Sequence, residues 1–170
     1  QANGDLFGFL EFNSRVRTFL RAGRGKAHFD ACRNALFSLE AGRMSPDYAE
    51  LFSFVRTRLR RRALLVVLTS LDDSVLAEQF LRGVELIQRQ HLVTVHMLRP
   101  PGARALFSGA PPAALAEVYR DLEGHECWRR LEETGRALRR HGVHFAQMER
   151  ERLSADLVSQ YMALKGQQRL

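Results

Sequence analysis

The run Leu64-Leu65-Val66-Val67-Leu68-Thr69 is apolar on both of its alternating faces. A strand with no wet face reads as a central member of a covered, parallel sheet. Parallel strands need long crossovers, usually helical, and the sequence around this run supplies them. Asp72-Asp73-Ser74 has the chemistry of a helix N-cap, and Leu76, Phe80, Leu81, Val84 and Ile87 follow at helical spacing. His91 to Leu98 predicts the next strand, stopped by Pro100-Pro101-Gly102. A helical region from Pro111 to His141, broken near Gly124, leads to a strand over Val143 to Met148. The last helix runs from Ser154, as its N-cap, to Lys165. Arg139-Arg140-His141-Gly142 sets cations and a left-handed cap where a helix C-terminus favours them.

Upstream, Leu6 to Phe12 reads as a short aromatic-rich strand, Asn13-Ser14 as a turn, and Arg15 to Leu20 as an alternating edge strand. A Gly23-Arg24-Gly25 turn opens a helix carrying Phe29, Cys32, Leu36 and Leu39, ended by Gly42. Ser45 as N-cap and Pro46 at the first position begin another, with Tyr48, Leu51, Phe52, Val55 and Leu59 as its stripe. This order predicts the α/β class. The expected architecture is one domain over residues 1–170, in three layers. Its sheet is mostly parallel, with an antiparallel edge hairpin and helices on both faces.

The 170 residues are 45% hydrophobic and 26% charged, enough for a packed core and unlike a disordered chain. The net charge is +7, and 24 of the 26 basic residues are Arg. That skew fits an Arg-rich genome as readily as a phosphate-binding surface. Two cysteines exclude a disulfide framework and fit a reducing, cytoplasmic setting. No run approaches the ~18 apolar residues of a membrane span. The chain opens on Gln1, just ahead of a strand; we expect it to be the C-terminal part of a longer polypeptide, with any membrane anchor upstream.

Three stretches in order carry a resemblance: Gly4 to Phe12, the Arg-rich run before Leu64 to Thr69, and Leu157 to Lys165. They are similar to the bacterial domain of unknown function fifty-eight family, whose C-terminal part resembles a von Willebrand factor type A domain. The resemblance covers essentially the whole chain. It implies a non-enzymatic adaptor that binds a protein partner, commonly a MoxR-type AAA+ ATPase. It also implies a first strand, absent here, between the Leu6 and Leu64 strands. Both would then face a slot that direct pairing, a donated strand or an upstream segment must close. Type A domains often hold Mg²⁺ through an Asp-x-Ser-x-Ser loop, a Thr and an Asp, hard oxygen donors suited to that ion. This chain has no Asp-x-Ser-x-Ser, carries Ser70 where the pattern expects Asp, and offers no Thr at Gly25-Lys26-Ala27. Magnesium is therefore expected only in the longer parent. Ser70, Asp72 and Asp73 are the candidate ligands there, and Asp72, Asp73 and Lys26 the candidate partner contacts.

Other constellations have plainer readings. Asp72 and Asp73 also serve as helix caps. Gly23-Arg24-Gly25-Lys26 fails the phosphate-loop pattern, because Leu20 stands five residues before Gly25 and Ala27 follows the Lys. Turns needing positive φ account for its glycines. His125, Cys127, His141 and His144 lack zinc-site spacing, and Cys127 reads as a buried thiol beside Trp128. A nucleophilic pair of a cysteine with His96 or His28 has no oxyanion-stabilising motif beside Cys127 to support it. Arg56, Arg58 and Arg60-Arg61-Arg62 sit at a helix end, where cations offset the macrodipole, without aromatics interleaved for stacking. Specific nucleic-acid binding is not expected from them, and a basic nucleic-acid domain stands as the alternative.

Overall fold

A computed structural model describes residues 5–40, 44–109 and 111–166. The chain is α/β and divides into two compact units, Gln1–Arg58 and Leu59–Leu170.

In the first unit, β1 (Phe7–Phe12) and β2 (Val16–Gly23) form an antiparallel hairpin, a two-stranded sheet of its own. The Asn13 side chain accepts from the Arg15 N–H at 3.3 Å, the local bond for which Asn favours turns. Glu11 faces Thr18 across the pair, and the Thr18 hydroxyl donates to its carboxylate at 2.8 Å. Helix α1 (Lys26–Phe37) follows, then α2 (Tyr48–Arg58). Four of the five expected stripe residues of α2, Tyr48, Leu51, Phe52 and Val55, are buried, whereas Leu59 lies beyond the helix and is half-buried. Phe54 meets Phe19 edge-on at 5.1 Å, and Tyr48 meets Phe12 at 6.0 Å.

Two details differ from the expected pattern. The N-cap of α2 is Asp47, not Ser45: its carboxylate accepts from the Glu50 N–H at 3.0 Å, and its carbonyl takes the first helical bond from Leu51. An acid three residues before Glu50 has the spacing of a capping box, and it outcompetes the earlier serine. On α1 only Cys32 is buried; Phe29 and Leu36 stay about half exposed, and Leu39 lies beyond the helix. The expected stop at Gly42 lies outside the described residues.

In the second unit β3 (Leu64–Leu68), α3 (Ser74–Glu85), β4 (Leu92–Leu98), α4 (Leu115–Arg140) and β5 (His144–Met148) alternate. A 3₁₀ turn (Arg150–Arg152) then runs into α5 (Leu153–Gly166). The strands are parallel in the order β3-β4-β5. Two crossovers in one direction lay α3 and α4 on one face, where they touch each other. That face carries Val67, Val95 and Phe145 in one row, and Gly135 of α4 sits against the Phe145 ring. Phe80, Val84, Ile87, Val95, Met97, Leu131 and Leu138 are almost fully buried in the core.

Three expectations are corrected here. First, β3 is an edge strand and β4 the central one: Val93 to Met97 are buried without interruption, whereas Val66 and Leu68 are 47% and 51% exposed. Second, α4 is continuous through Gly124. The glycine marks close packing instead, because a Cβ there would collide with the Gly102 carbonyl oxygen. Third, Ser154 lies inside α5, which grows out of the preceding turn without a side-chain cap. The end of α4 is as expected: Gly142 has φ 72°. Val143 N–H bonds Leu138 and Gly142 N–H bonds Arg139, both at 3.0 Å, closing a Schellman motif over two buried apolar residues, Val143 and Leu138. Among the described residues no helix is long and apolar enough to cross a membrane.

Candidate functional site

The feature with the clearest chemistry is the free edge of β3. Successive residues of a strand point their backbone groups to alternate sides. Leu92 N–H donates to the Ala63 carbonyl at 2.9 Å and Thr69 N–H to the His96 carbonyl at 3.1 Å. With the register Leu65↔Val93 and Val67↔Val95, the odd-numbered residues 63 to 69 therefore face β4. Leu64, Val66 and Leu68 turn their N–H and C=O groups the other way. Among the described residues β3 ladders with β4 alone, and those six groups have no hydrogen bond. Beside them stand the exposed side chains of Val66 and Leu68. An open apolar edge of this kind is a template for another strand.

At the C-terminal end of β3 the candidate ligands are only partly brought together. The Ser70 hydroxyl donates to Asp72 at 2.6 Å. Asp73 turns away and caps α3, accepting from the Leu76 N–H at 2.9 Å. Among the described residues no group of three or more His, Cys, Asp or Glu side chains could hold a metal ion. Ser70 and Asp72 are two oxygen donors where a hard cation needs about six. Lys26, exposed at the first turn of α1, belongs to the other unit. Of the two neighbouring glycines, Gly25 has φ 92°, whereas Gly23 is held by space: a Cβ there would meet the His28 ring at 2.9 Å.

Cys32 and His28 do not make a thiol–base pair. Cys32 Sγ lies 3.5 Å from His28 Nε2, but that nitrogen is 2.6 Å from the Phe7 carbonyl, which can only accept. The proton therefore sits on the nitrogen that a base would need free. Burial raises the Cys32 pKa as well, keeping the thiol protonated. Cys127 is half-buried rather than buried. His125, three positions before Trp128, stacks on its ring and accepts from the Leu106 N–H at 3.1 Å, while His141 lies 3.5 Å from Glu85. His125 and His141 thus have separate local partners.

Comparison of the chain with family models, curated proteins and solved structures finds no match in any of the three. Two open clefts carry little chemistry of their own. One, of about 250 Å³, contains Arg104 and Asp121, already paired at 2.6 Å; the other, of about 220 Å³, lies between Arg99, Trp128 and Phe145.

A buried polar row lies on the sheet face opposite Val95, with Thr94 beside His144 and His96 beside Ala146. Thr94 donates to the Leu65 carbonyl at 3.4 Å, so His96 Nε2–H donates in turn to Thr94 Oγ1 at 3.3 Å. That leaves His96 Nδ1 buried without a partner. Burial, and then the charge on His144, lower the His96 pKa. Burial also lowers that of His91, against a smaller opposing effect of the Leu59 backbone. Both histidines are 2–3% exposed and fold in the neutral form. The unfolded chain therefore binds more protons below the ordinary value of 6.5. Stability should be full above that value and fall as the pH drops through it toward the folded-state pKa values. Urea midpoints at stepped pH are expected to show this decline, flattened in His91→Gln/His96→Gln. An unchanged slope in the double variant would assign the decline to other groups.

Neither the open edge nor the buried Thr94–His96 pair was legible from the sequence. Phe107, 93% exposed with φ 62°, was missed as well. No motif marks these features; all three depend on which neighbours the fold supplies or withholds.

Proposed function

We propose that this chain is a non-enzymatic protein-interaction module, a type A-like adaptor that works beside a MoxR-type AAA+ ATPase in the bacterial cytoplasm. The observation that carries the interaction reading is the β3 edge: six backbone groups without a partner among the described residues, flanked by exposed Val66 and Leu68. Strand addition uses such groups for affinity and the alternate side chains for selection. The resemblance of the sequence supplies the class of partner.

The test is binding of the purified chain to a MoxR-type ATPase of the source organism, with and without Mg²⁺. Val66→Pro removes an N–H that faces the open side and leaves the β3–β4 ladder intact. We expect it to weaken binding about tenfold or more, the order of one to two lost hydrogen bonds. Val66→Lys, which blocks an edge without touching the backbone, serves if the proline variant does not fold. Binding indifferent to both variants would remove the edge from the account. No binding by the parent sequence would remove the partner. Magnesium-dependent binding lost in Asp72→Ala would make the chain a metal-dependent module instead.

A further inference from the structure

We infer that the N-terminal end of the parallel sheet is a docking surface for an acidic polypeptide segment. The topology gathers there the three segments that lead into the strands. Leu64 is level with Leu92, and the Thr94↔His144 pairing sets Leu92 level with Gly142. Neighbouring strands lie about 4.8 Å apart, so the three segments fall within roughly 10 Å. Side chains tie them together. Gln90 Nε2 donates to the Leu59 and Arg60 carbonyls at 3.2 and 2.9 Å. His141, after α4, reaches Glu85 at the end of α3.

These segments carry Arg60, Arg61 and Arg62 before β3, Arg89 before β4 and Arg140 before β5, while Arg139 turns back along α4 past Gly135 into the cleft beside Phe145. These five are exposed, and among the described residues none makes an ion pair. Within residues 59–63, 85–91 and 139–143 the one carboxylate is Glu85, already beside His141. The C-terminal ends of α2, which stops at Arg58, and of α3 and α4 bring roughly half a negative charge each, so with Glu85 they offset about two to three of the five cations. Helix-end compensation thus accounts for part of the cluster and leaves about half of its charge unmatched.

The chemistry favours a polypeptide over a nucleic acid. The three segments hold no Phe, Tyr or Trp on which a base could stack. Leu86 stands 53% exposed between Arg82 and Arg89, and the Arg60–Arg62 run continues directly into the apolar edge of β3. Guanidinium forks pair bidentately with carboxylates. A segment of Asp and Glu with an aliphatic anchor satisfies both the charge and Leu86.

Fluorescence anisotropy tests this with three labelled probes: a short Glu/Leu peptide, the same peptide with Gln for Glu, and a short DNA duplex. We expect the acidic peptide to bind at least about tenfold tighter than the Gln peptide, and to weaken as salt is raised. Arg60→Gln/Arg61→Gln/Arg62→Gln and Arg89→Gln/Arg140→Gln should each weaken it about fivefold or more, while Arg150→Gln/Arg152→Gln changes it less than about twofold. If the triple variant does not fold, the Arg89/Arg140 pair carries the test. No binding of the acidic peptide, or equal losses in the Arg150/Arg152 control, would overturn the proposal. So would a duplex bound more tightly than the peptide and lost with the same variants, which would make this a nucleic-acid surface. Val66→Pro should be silent in this assay, so failure here leaves the edge reading standing.

Discussion

Gly124→Ala should destabilise the Leu59–Leu170 unit by about 1–3 kcal/mol, the usual cost of overpacking. The sign is the informative part. Gly124 lies inside the 26-residue helix α4, where alanine is better than glycine by ~1 kcal/mol on intrinsic propensity. A helix that merely tolerated the glycine would gain stability. The added Cβ, however, points at the Gly102 carbonyl oxygen, a backbone atom rather than a flexible side chain. Gly102 sits at φ 78° in a turn where the Ala103 N–H bonds the Pro100 carbonyl at 3.2 Å, so it has little room to retreat. Urea unfolding followed by fluorescence of Trp128, the single tryptophan and itself on α4, reports on this unit. A more stable alanine variant would show that α4 and the turn can separate freely.

The same glycine shows where sequence reasoning stops. Local chemistry was legible: the Asn13 turn, the Asp73 cap and the Gly142 stop are all decided within about four residues, and each is where the pattern placed it. The order of strands and helices followed from them. Gly124 read as a break because its real cause, a carbonyl 22 residues upstream, has no local signature. The Leu64–Thr69 run read as central because apolar periodicity records what a strand is suited to be covered by. The neighbour that would cover it is a separate matter, and here β3 stands at an edge. Phe29 and Leu36 teach the same on α1, where a helical stripe exists and only Cys32 is buried. At the candidate site, Ser70 and Asp72 were legible as neighbours at a strand end. The capping role of Asp73 is legible from its place just before the helix, but Lys26 could not be assigned to a different unit without the fold.

A pair of proline variants tests the register on which the open edge depends. Val66 and Val67 are adjacent, both within β3, and proline imposes the same φ on either. Their backbone groups point to opposite sides. The Val67 N–H faces β4, so Val67→Pro removes a ladder bond, presses its ring toward the central strand and leaves a buried acceptor near Thr94 unpaired. Val66→Pro removes an N–H that has no partner among the described residues. The expected result is that Val67→Pro costs about 1–3 kcal/mol more than Val66→Pro, the range for stranding one buried polar group. Urea midpoints read through Trp128 measure the difference directly, and the shared φ cost cancels in the comparison. Equal losses would mean that both sides of β3 are hydrogen-bonded in solution, with the edge already closed by another strand. A larger loss at Val66 would reverse the parity, turning toward β4 the groups on which strand addition relies.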